Sequence, residues 1–197
     1  DPETTHPRHL ERYSLYPPAQ FLPRGRADRT LVIVDHESSP NRTAALADVL
    51  LTLPPGADFE ALWTMRLLLK GMEPAAGSPT GAPVEELRTL VERMKSCRCG
   101  VIFFGYGAAR QSLGHRIVEA ILRLTIDLNQ FTRFHARRLR VVGDVAGADN
   151  VLCWQTGFPF AVNLTRGYPR YSPGEYSAAD TLSNGEPDVA LFVGSHR

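Results

Sequence analysis

The sequence predicts an α/β fold built on a parallel sheet. Short continuous apolar runs, the pattern of strands buried on both faces, occur at 30–35, 100–104 and 188–193. Segments with the apolar spacing of helices lie between them. Strands that alternate with helices at this spacing favour parallel pairing through right-handed crossovers. The chain has 197 residues, 43% of them apolar, which suits one domain with a sizeable core.

The N-terminal part predicts an arm and a first strand pair. Residues 1–29 are rich in proline and should form an extended arm with a helical turn at 7–13. The elements expected next are a strand, a short helix and a second strand, at 30–35, 40–48 and 49–53. Ser38 or Ser39 could cap the short helix.

Three longer helices are expected at 57–70, 84–95 and 114–129. Apolar residues cover more than half the circumference of the first, which should therefore be mostly buried and should end at Gly71. The second is the clearest amphipathic surface helix. A further strand is expected at 138–142.

Residues 147–180 show neither the period of a helix nor the alternation of a strand. They combine prolines and glycines with six large aromatic residues: Trp154, Phe158, Phe160, Tyr168, Tyr171 and Tyr176. Disordered segments are poor in such residues, and long ordered loops usually serve binding. This aromatic stretch therefore predicts an ordered binding segment.

Composition excludes several classes of function. The net charge is +1, which gives no overall attraction to nucleic acid or membrane. No apolar run is long enough to span a membrane, and no signal peptide is recognisable, so we expect a cytoplasmic protein. Three cysteines fit free thiols in a reducing compartment better than a metal site. Both ends of the sequence look cut, as in a fragment of a longer protein.

Ligands of parallel sheets bind beyond the carboxyl ends of the strands. Asp35 ends the first strand and could accept two donors from a ribose or a guanine edge, or could cap the following turn. Gly105 and Gly107 open onto a helix and could let the backbone approach a phosphate, or could simply form a turn. Arg110 occupies the third glycine position of a G-x-G-x-x-G motif, which is therefore incomplete. Nucleophile-elbow, Walker A and H-E-x-x-H motifs are absent.

Two further groups could contact a partner. Basic residues between 133 and 140 favour a solvated face, with an interface contact or an anionic ligand as the alternative. Arginine and aromatic residues are enriched at interface hot spots. The residues of the aromatic stretch predicted to form a partner surface are Trp154, Arg166, Tyr168, Arg170 and Tyr171.

Several segments resemble the molybdopterin oxidoreductases. These are TLVIVD with the following AALAD, then PPGADFEALWTMRLLLKG, VIFFGYG and DVALFVGS. Within that superfamily, HPRHLERYS and GADNVLCWQTGFPFAVNLTRGYPRYSPGE resemble the B subunits of formylmethanofuran dehydrogenase and of the bacterial formyltransferase/hydrolase complex. The aromatic stretch is the most specific part of this resemblance.

The resemblance implies a three-layer, parallel-sheet domain of the formate dehydrogenase/DMSO reductase type. It also implies a multisubunit complex of one-carbon metabolism with A-, C- and D-type partners. The archaeal B subunit carries an iron–sulfur cluster and a tungsten or molybdenum pterin guanine dinucleotide, and reduces carbon dioxide to formate. The bacterial B subunit is thought to be mainly a scaffold. The family's cluster cysteines and active-site cysteine or selenocysteine would lie upstream of Asp1.

Two departures from the family pattern bear on the cofactor. Residues 36–40 read HESSP where an Arg-Arg/Lys-Thr pattern is usual, and Ala109-Arg110 replaces a Thr-Gln pair. Both places would face the dinucleotide. The sequence therefore predicts a scaffolding B-type subunit without the cofactor, inactive as an isolated chain. The alternatives are a redox-active pterin protein, with Asp35, Gly105, Gly107 and Arg110 at the cofactor, and an unrelated nucleotide-binding domain.

Overall fold

Parallel strand pairs and helices form the first of two compact units in the computed structural model. The structure describes residues 1–6, 8–36, 41–140 and 145–192. Its two units are Asp1–Arg140 and Val141–Arg197. The α/β class with parallel strands is confirmed in the first unit. A single domain over the whole chain stays a prediction.

The arm of the first unit contains three short helical turns. They are α1 (Pro2–Thr5), a π-helical turn (Leu10–Ser14) and a 3-10 turn (Gly25–Asp28). Thr43 ties the arm down, because its hydroxyl donates to Asp1 Oδ1 at 2.7 Å and accepts from the Glu3 backbone N–H at 3.1 Å. The helical turn expected at 7–13 is observed slightly later, at Leu10–Ser14. Residue 7 lies outside the described part.

The strands of this unit form two separate parallel pairs. In the first pair β1 (Val32–His36) lies beside β2 (Val49–Leu53), with Val32 opposite Val49. In the second pair β3 (Cys99–Phe104) lies beside β4 (Arg133–Arg138), with Cys99 opposite Arg133. The β2 prediction is confirmed residue for residue.

The connection between β1 and β2 is less helical than predicted. Only a 3-10 turn at Ala44–Leu46 forms within the described part of residues 40–48. The caps proposed at Ser38 and Ser39 lie outside the described residues. Asn41 accepts the Thr43 backbone N–H at 2.9 Å, and such an Asx turn competes with the first turn of a helix.

Three of the four helices that follow β2 in the first unit were predicted closely. The four are α2 (Asp58–Leu69), α3 (Val84–Ser96), α4 (Tyr106–Arg110) and α5 (Gly114–Leu128), and the short α4 was not predicted. Gly71 ends α2 at φ +71, where its N–H donates to Leu68 O and the Met72 N–H to Leu67 O, both at 3.0 Å. This Schellman arrangement uses the left-handed conformation that glycine adopts without strain.

One apolar cluster joins α2, α3 and α5 to the inner faces of β2 and β4. Its fully buried members are Leu53, Leu87, Val91, Leu124 and Leu128. Phe134 enters it from β4, and Ile102 of β3 packs against it. These helices therefore cover one face of the β3–β4 pair.

Burial on both faces of the strands, as predicted, is wrong for the first unit. Val34 of β1 is 51% exposed, and Val101 and Phe103 of β3 are 44% and 39% exposed. The physical reason is that the apolar cluster takes Ile102 and Phe134 from a single face of the pair.

The start of β4 is fixed by the end of α5. Asn129 follows the helix, and its side-chain amide donates to Phe134 O at 2.9 Å while its Oδ1 accepts the Phe134 N–H at 3.1 Å. The strand predicted at 138–142 is therefore wrong, because β4 already ends at Arg138. Residues 141 and 142 lie outside the described part.

The second unit contains α6 (Val145–Thr156), a two-stranded antiparallel hairpin of β5 (Val162–Asn163) and β6 (Arg170–Tyr171), and α7 (Ala178–Ser183). The expectation that 147–180 lacks helical structure is wrong for α6. The sequence of α6 hid the helix because its apolar residues form no single stripe. Among residues 146–192 none is buried.

The last predicted strand is not observed. Residues 188–192 form no strand, and Val189, Leu191 and Phe192 are 85%, 87% and 78% exposed. Residue 193 lies outside the described part. An apolar run becomes a strand only when a neighbouring strand accepts its hydrogen bonds, and no described strand pairs with this one. No helix of the described residues is both long and apolar enough to cross a membrane.

Candidate functional site

The Asp35 side chain accepts hydrogen bonds from residues that follow it closely in sequence. Its Oδ1 accepts the His36 backbone N–H and its Oδ2 accepts the Asn41 side-chain amide, both at 2.9 Å. Asn41 in turn holds the Thr43 N–H. Both carboxylate oxygens therefore have donors from residues close to Asp35 in sequence.

Gly105 and Gly107 lie at the start of α4, a helix of five residues. A Cβ added at either position would meet nothing within 4 Å, so no contact within the described chain requires glycine there. The Arg110 guanidinium lies 5.3 Å from the centroid of the Tyr106 ring, where the cation is attracted to the aromatic face.

These four residues do not form a preformed dinucleotide site. Asp35 belongs to the β1–β2 pair and the two glycines follow the β3–β4 pair, and no described hydrogen bond, ion pair or ring contact joins them. The Asp35 oxygens already have local donors, and Arg110 is held on Tyr106. Pterin binding by Asp35, Gly105, Gly107 and Arg110 stays a prediction.

Metal ligation finds no support in the described side chains. No group of three or more His, Cys, Asp or Glu residues among them could hold an ion. The Cys97 thiol donates to Met94 O at 3.1 Å, and burial raises the pKa of Cys97 above its usual range.

Four of the five residues predicted to contact a partner are exposed, and Arg170 is half-buried. Trp154 on α6 is 80% exposed and Tyr168 is 52% exposed, and Arg166 lies near Tyr168 in the exposed turn of the hairpin. An exposed Trp–Tyr–Arg set is the composition of an interface hot spot.

Two of the five residues, the half-buried Arg170 and the exposed Tyr171, also make contacts within the second unit. Arg170 donates from Nη1 to the Tyr176 hydroxyl at 2.8 Å and from Nη2 to Asn163 Oδ1 at 2.9 Å. Desolvation raises the pKa of Tyr176, and the oxygen of its hydroxyl accepts that bond. Tyr171 stacks on Phe158 with 5.0 Å between centroids and 1° between planes. Contact of Arg170 and Tyr171 with a partner stays a prediction.

The structure shows two further surface features, of which the sequence indicated only the second, as a possible contact surface. A groove of about 270 Å³ lies between α2 and α5, lined by Phe59, Trp63 and Arg116 among others. Trp63, expected inside the core, is 47% exposed. The second feature is the row of β4 residues that point away from the core. Basic and apolar residues alternate at 133–137, which is the period of a strand, and this alternation could have predicted a strand there.

Comparison with known proteins gives close relatives. No protein-family profile matches the chain. The B subunit of the tungsten-containing formylmethanofuran dehydrogenase 2 from Methanocaldococcus jannaschii is 40% identical over 195 residues, which is 99% of this chain. The corresponding protein from Methanococcus maripaludis is 36% identical over 195 residues. The resemblance to the B subunits of formylmethanofuran dehydrogenase is confirmed.

The similarity to these B subunits covers the whole of this chain but less than half of the relatives. The chain spans 44% of the length of each. Because the similarity extends over 99% of the chain, an unrelated nucleotide-binding domain is no longer a reasonable alternative.

A solved structure shares the fold. A chain in the crystal structure of the formyltransferase/hydrolase complex from Methylorubrum extorquens, in complex with methylofuran, superposes with a TM-score of 0.58. The match covers 92% of this chain and 47% of that chain at 22% identity.

Proposed function

We propose that this chain is part of a B-type subunit of a formylmethanofuran dehydrogenase or formyltransferase/hydrolase complex in one-carbon metabolism. Its role there is scaffolding, with A-, C- and D-type subunits as partners, in the cytoplasm. The similarity to B subunits over almost the whole chain supports the family. We infer the scaffolding role from the second unit.

The absence of a buried residue among 146–192 carries this proposal. A segment that buries none of its described residues gains little of the hydrophobic stabilisation that offsets the entropy of ordering a chain. Its exposed apolar side chains include Trp154, Phe160, Leu164 and Tyr168. Large exposed apolar surface marks sites of protein association. Partner subunits would bury it.

The three-layer arrangement of the formate dehydrogenase/DMSO reductase type is part of the proposal. Purely parallel sheets are almost always covered on both faces. The first unit has helices on one face of the β3–β4 pair, and the shared fold with the formyltransferase/hydrolase complex supports a further layer on the other face.

A redox-active protein is the second candidate, because the curated relatives are named as tungsten-containing. In that case Asp35, Gly105, Gly107 and Arg110 would lie at a tungsten or molybdenum pterin guanine dinucleotide, which supplies two-electron chemistry between carbon dioxide and formate. The local contacts of Asp35 and Arg110 favour the scaffold instead.

Metal and pterin analysis of the full-length protein in its complex separates the two candidates. The scaffolding role predicts neither tungsten nor molybdenum at stoichiometric level, together with co-purification of the other subunits. Stoichiometric metal would overturn the scaffold-only role. A full-length protein that purifies alone under conditions that preserve the complex would overturn the assembly proposal.

A further inference from the structure

The face of the β3–β4 pair that points away from the core carries two chemically different rows. In a strand, alternate residues share a face. On β3 the outward row is Cys99, Val101 and Phe103, and on β4 it is Arg133, His135 and Arg137. The register places Val101 opposite His135 and Phe103 opposite Arg137. An apolar row and a basic row therefore run side by side.

The basic row has no partner within the described chain. Arg133, Arg137 and His135 form no hydrogen bond, ion pair or ring contact with another described residue through their side chains. Their side chains stand on one face at every second position, where like charges repel. An acidic surface laid against them would relieve that repulsion.

The apolar row is accessible as well. Val101 is 44% exposed and Phe103 is 39% exposed. The arm covers only the far end of the row, where the His9 ring lies edge-on to Phe103 with 4.9 Å between centroids. Bare apolar residues beside cations favour a protein segment over a nucleic acid or a phosphate, since neither of these would bury Val101.

We propose that this face binds an amphipathic helix whose apolar stripe lies on Val101 and Phe103 and whose acidic flank faces Arg133 and Arg137. The helix comes from the same B-type subunit, in the part that residues 1–197 do not include. The relatives support this source, because more than half of their length lies outside the match. The inference rests on the proposed function. It adds the charge pattern of the further layer that was proposed for this face of the β3–β4 pair.

The geometry sets the spacing of the acidic residues. Arg133 and Arg137 are four residues apart on β4, about 13 Å along the strand. A helix that runs along the strands covers this distance in about nine residues. Neighbouring strands are about 4.8 Å apart and a helix is about 10 Å wide, so one helix reaches both rows. Asp or Glu residues are therefore expected about seven to eight positions apart on one flank.

Photo-crosslinking in the intact complex tests the proposal. A photoreactive residue replaces Val101 in the full-length protein, and mass spectrometry identifies the crosslinked peptide. We expect a helical peptide of the same polypeptide with acidic residues at the stated spacing. The double charge reversal Arg133→Glu/Arg137→Glu should lower the yield of this crosslink by about tenfold, because the new glutamates then face the acidic residues of the helix.

The matched control is Arg116→Glu/Arg123→Glu on α5, which changes the net charge equally and should leave the yield unchanged. A crosslink to a different polypeptide, to a peptide without acidic residues, or to none would overturn this inference, while an intact complex would leave the proposed function standing. Equal loss in both double variants would also overturn it. Loss of the complex in the parent protein would instead overturn the proposed function.

Discussion

Arg66 on α2 donates from Nε to Asp127 Oδ2 on α5 at 2.7 Å, and these side chains are only 11% and 14% exposed. The ion pair joins two helices of the core. Removal of the carboxylate would leave a buried cation without its partner. We expect Asp127→Ala to lower the free energy of unfolding by about 3 kcal/mol or more, measured by denaturant titration.

Two variants control this experiment. Arg66→Met/Asp127→Leu should recover most of the loss, since apolar residues often replace a buried ion pair without cost. Glu119→Ala removes the ion pair with Arg123, whose side chains are 56% and 57% exposed, and should leave unfolding unchanged. A double variant as unstable as Asp127→Ala would contradict this account.

Gly100 is held as glycine by the ring of Phe134. A Cβ at Gly100 would overlap the ring carbons Cζ, Cε1 and Cε2 of Phe134, which is 6% exposed in the core. We expect Gly100→Ala to destabilise the protein by about 1–3 kcal/mol, because overpacking forces the ring or the strand to move. The midpoint of urea unfolding measures this effect.

Gly107→Ala is the matched substitution. A Cβ there meets nothing within 4 Å, and the residue lies inside α4, where alanine is favoured over glycine. Stability should stay the same or rise slightly. If Gly100→Ala and Gly107→Ala had equal effects, the packing of Phe134 on Gly100 would not be the cause.

His9 gives the arm a pH dependence. Burial lowers the pKa of His9 below its ordinary 6.5, the neighbouring His6 lowers it further, and Glu3 opposes them. The unfolded chain then binds the proton first as pH falls. The contribution of His9 to stability is therefore complete above pH 6.5 and declines as pH falls towards the lower pKa of the folded state.

The measurement is the unfolding free energy of the parent and of His9→Phe across that pH window. The difference between them should change with pH, because only the parent carries this titration. A constant difference for His9→Phe would refute the assignment.

The sequence predicted best those elements whose apolar spacing reflects the burial of one helix face. The stripes of α3 and α5 predicted both helices to within one residue at each end. The resemblance of the aromatic stretch predicted the family, which the relatives confirm.

The other parts depend on distant partners. The run at 188–192 has the composition of a buried strand, yet Leu191 is 87% exposed because no described strand accepts its hydrogen bonds. The basic sequence of β4 looked like a solvated face, and only pairing with β3 makes it a strand. The donors that the structure shows for the Asp35 carboxylate come from His36 and Asn41, which are close in sequence. A ligand contact at Asp35 would depend on residues distant in sequence, which the local pattern does not predict.

Tyr168 and Arg170, two residues apart in the hairpin, should respond differently to alanine. Tyr168 is 52% exposed, whereas Arg170 bonds Asn163, Thr165 and Tyr176. We expect Tyr168→Ala to weaken association with the partner subunits by about 1–2 kcal/mol, roughly five- to thirtyfold in Kd, with little change in Tm of the isolated chain. Arg166→Ala should act in the same direction. Arg170→Ala should lower Tm of the isolated chain, because it removes three hydrogen bonds that join residues of the hairpin to each other and to Tyr176. Pull-down of the complex and thermal unfolding of the chain measure the two effects, and an equal loss of Tm in Tyr168→Ala and Arg170→Ala would show that Tyr168 supports the hairpin rather than an interface.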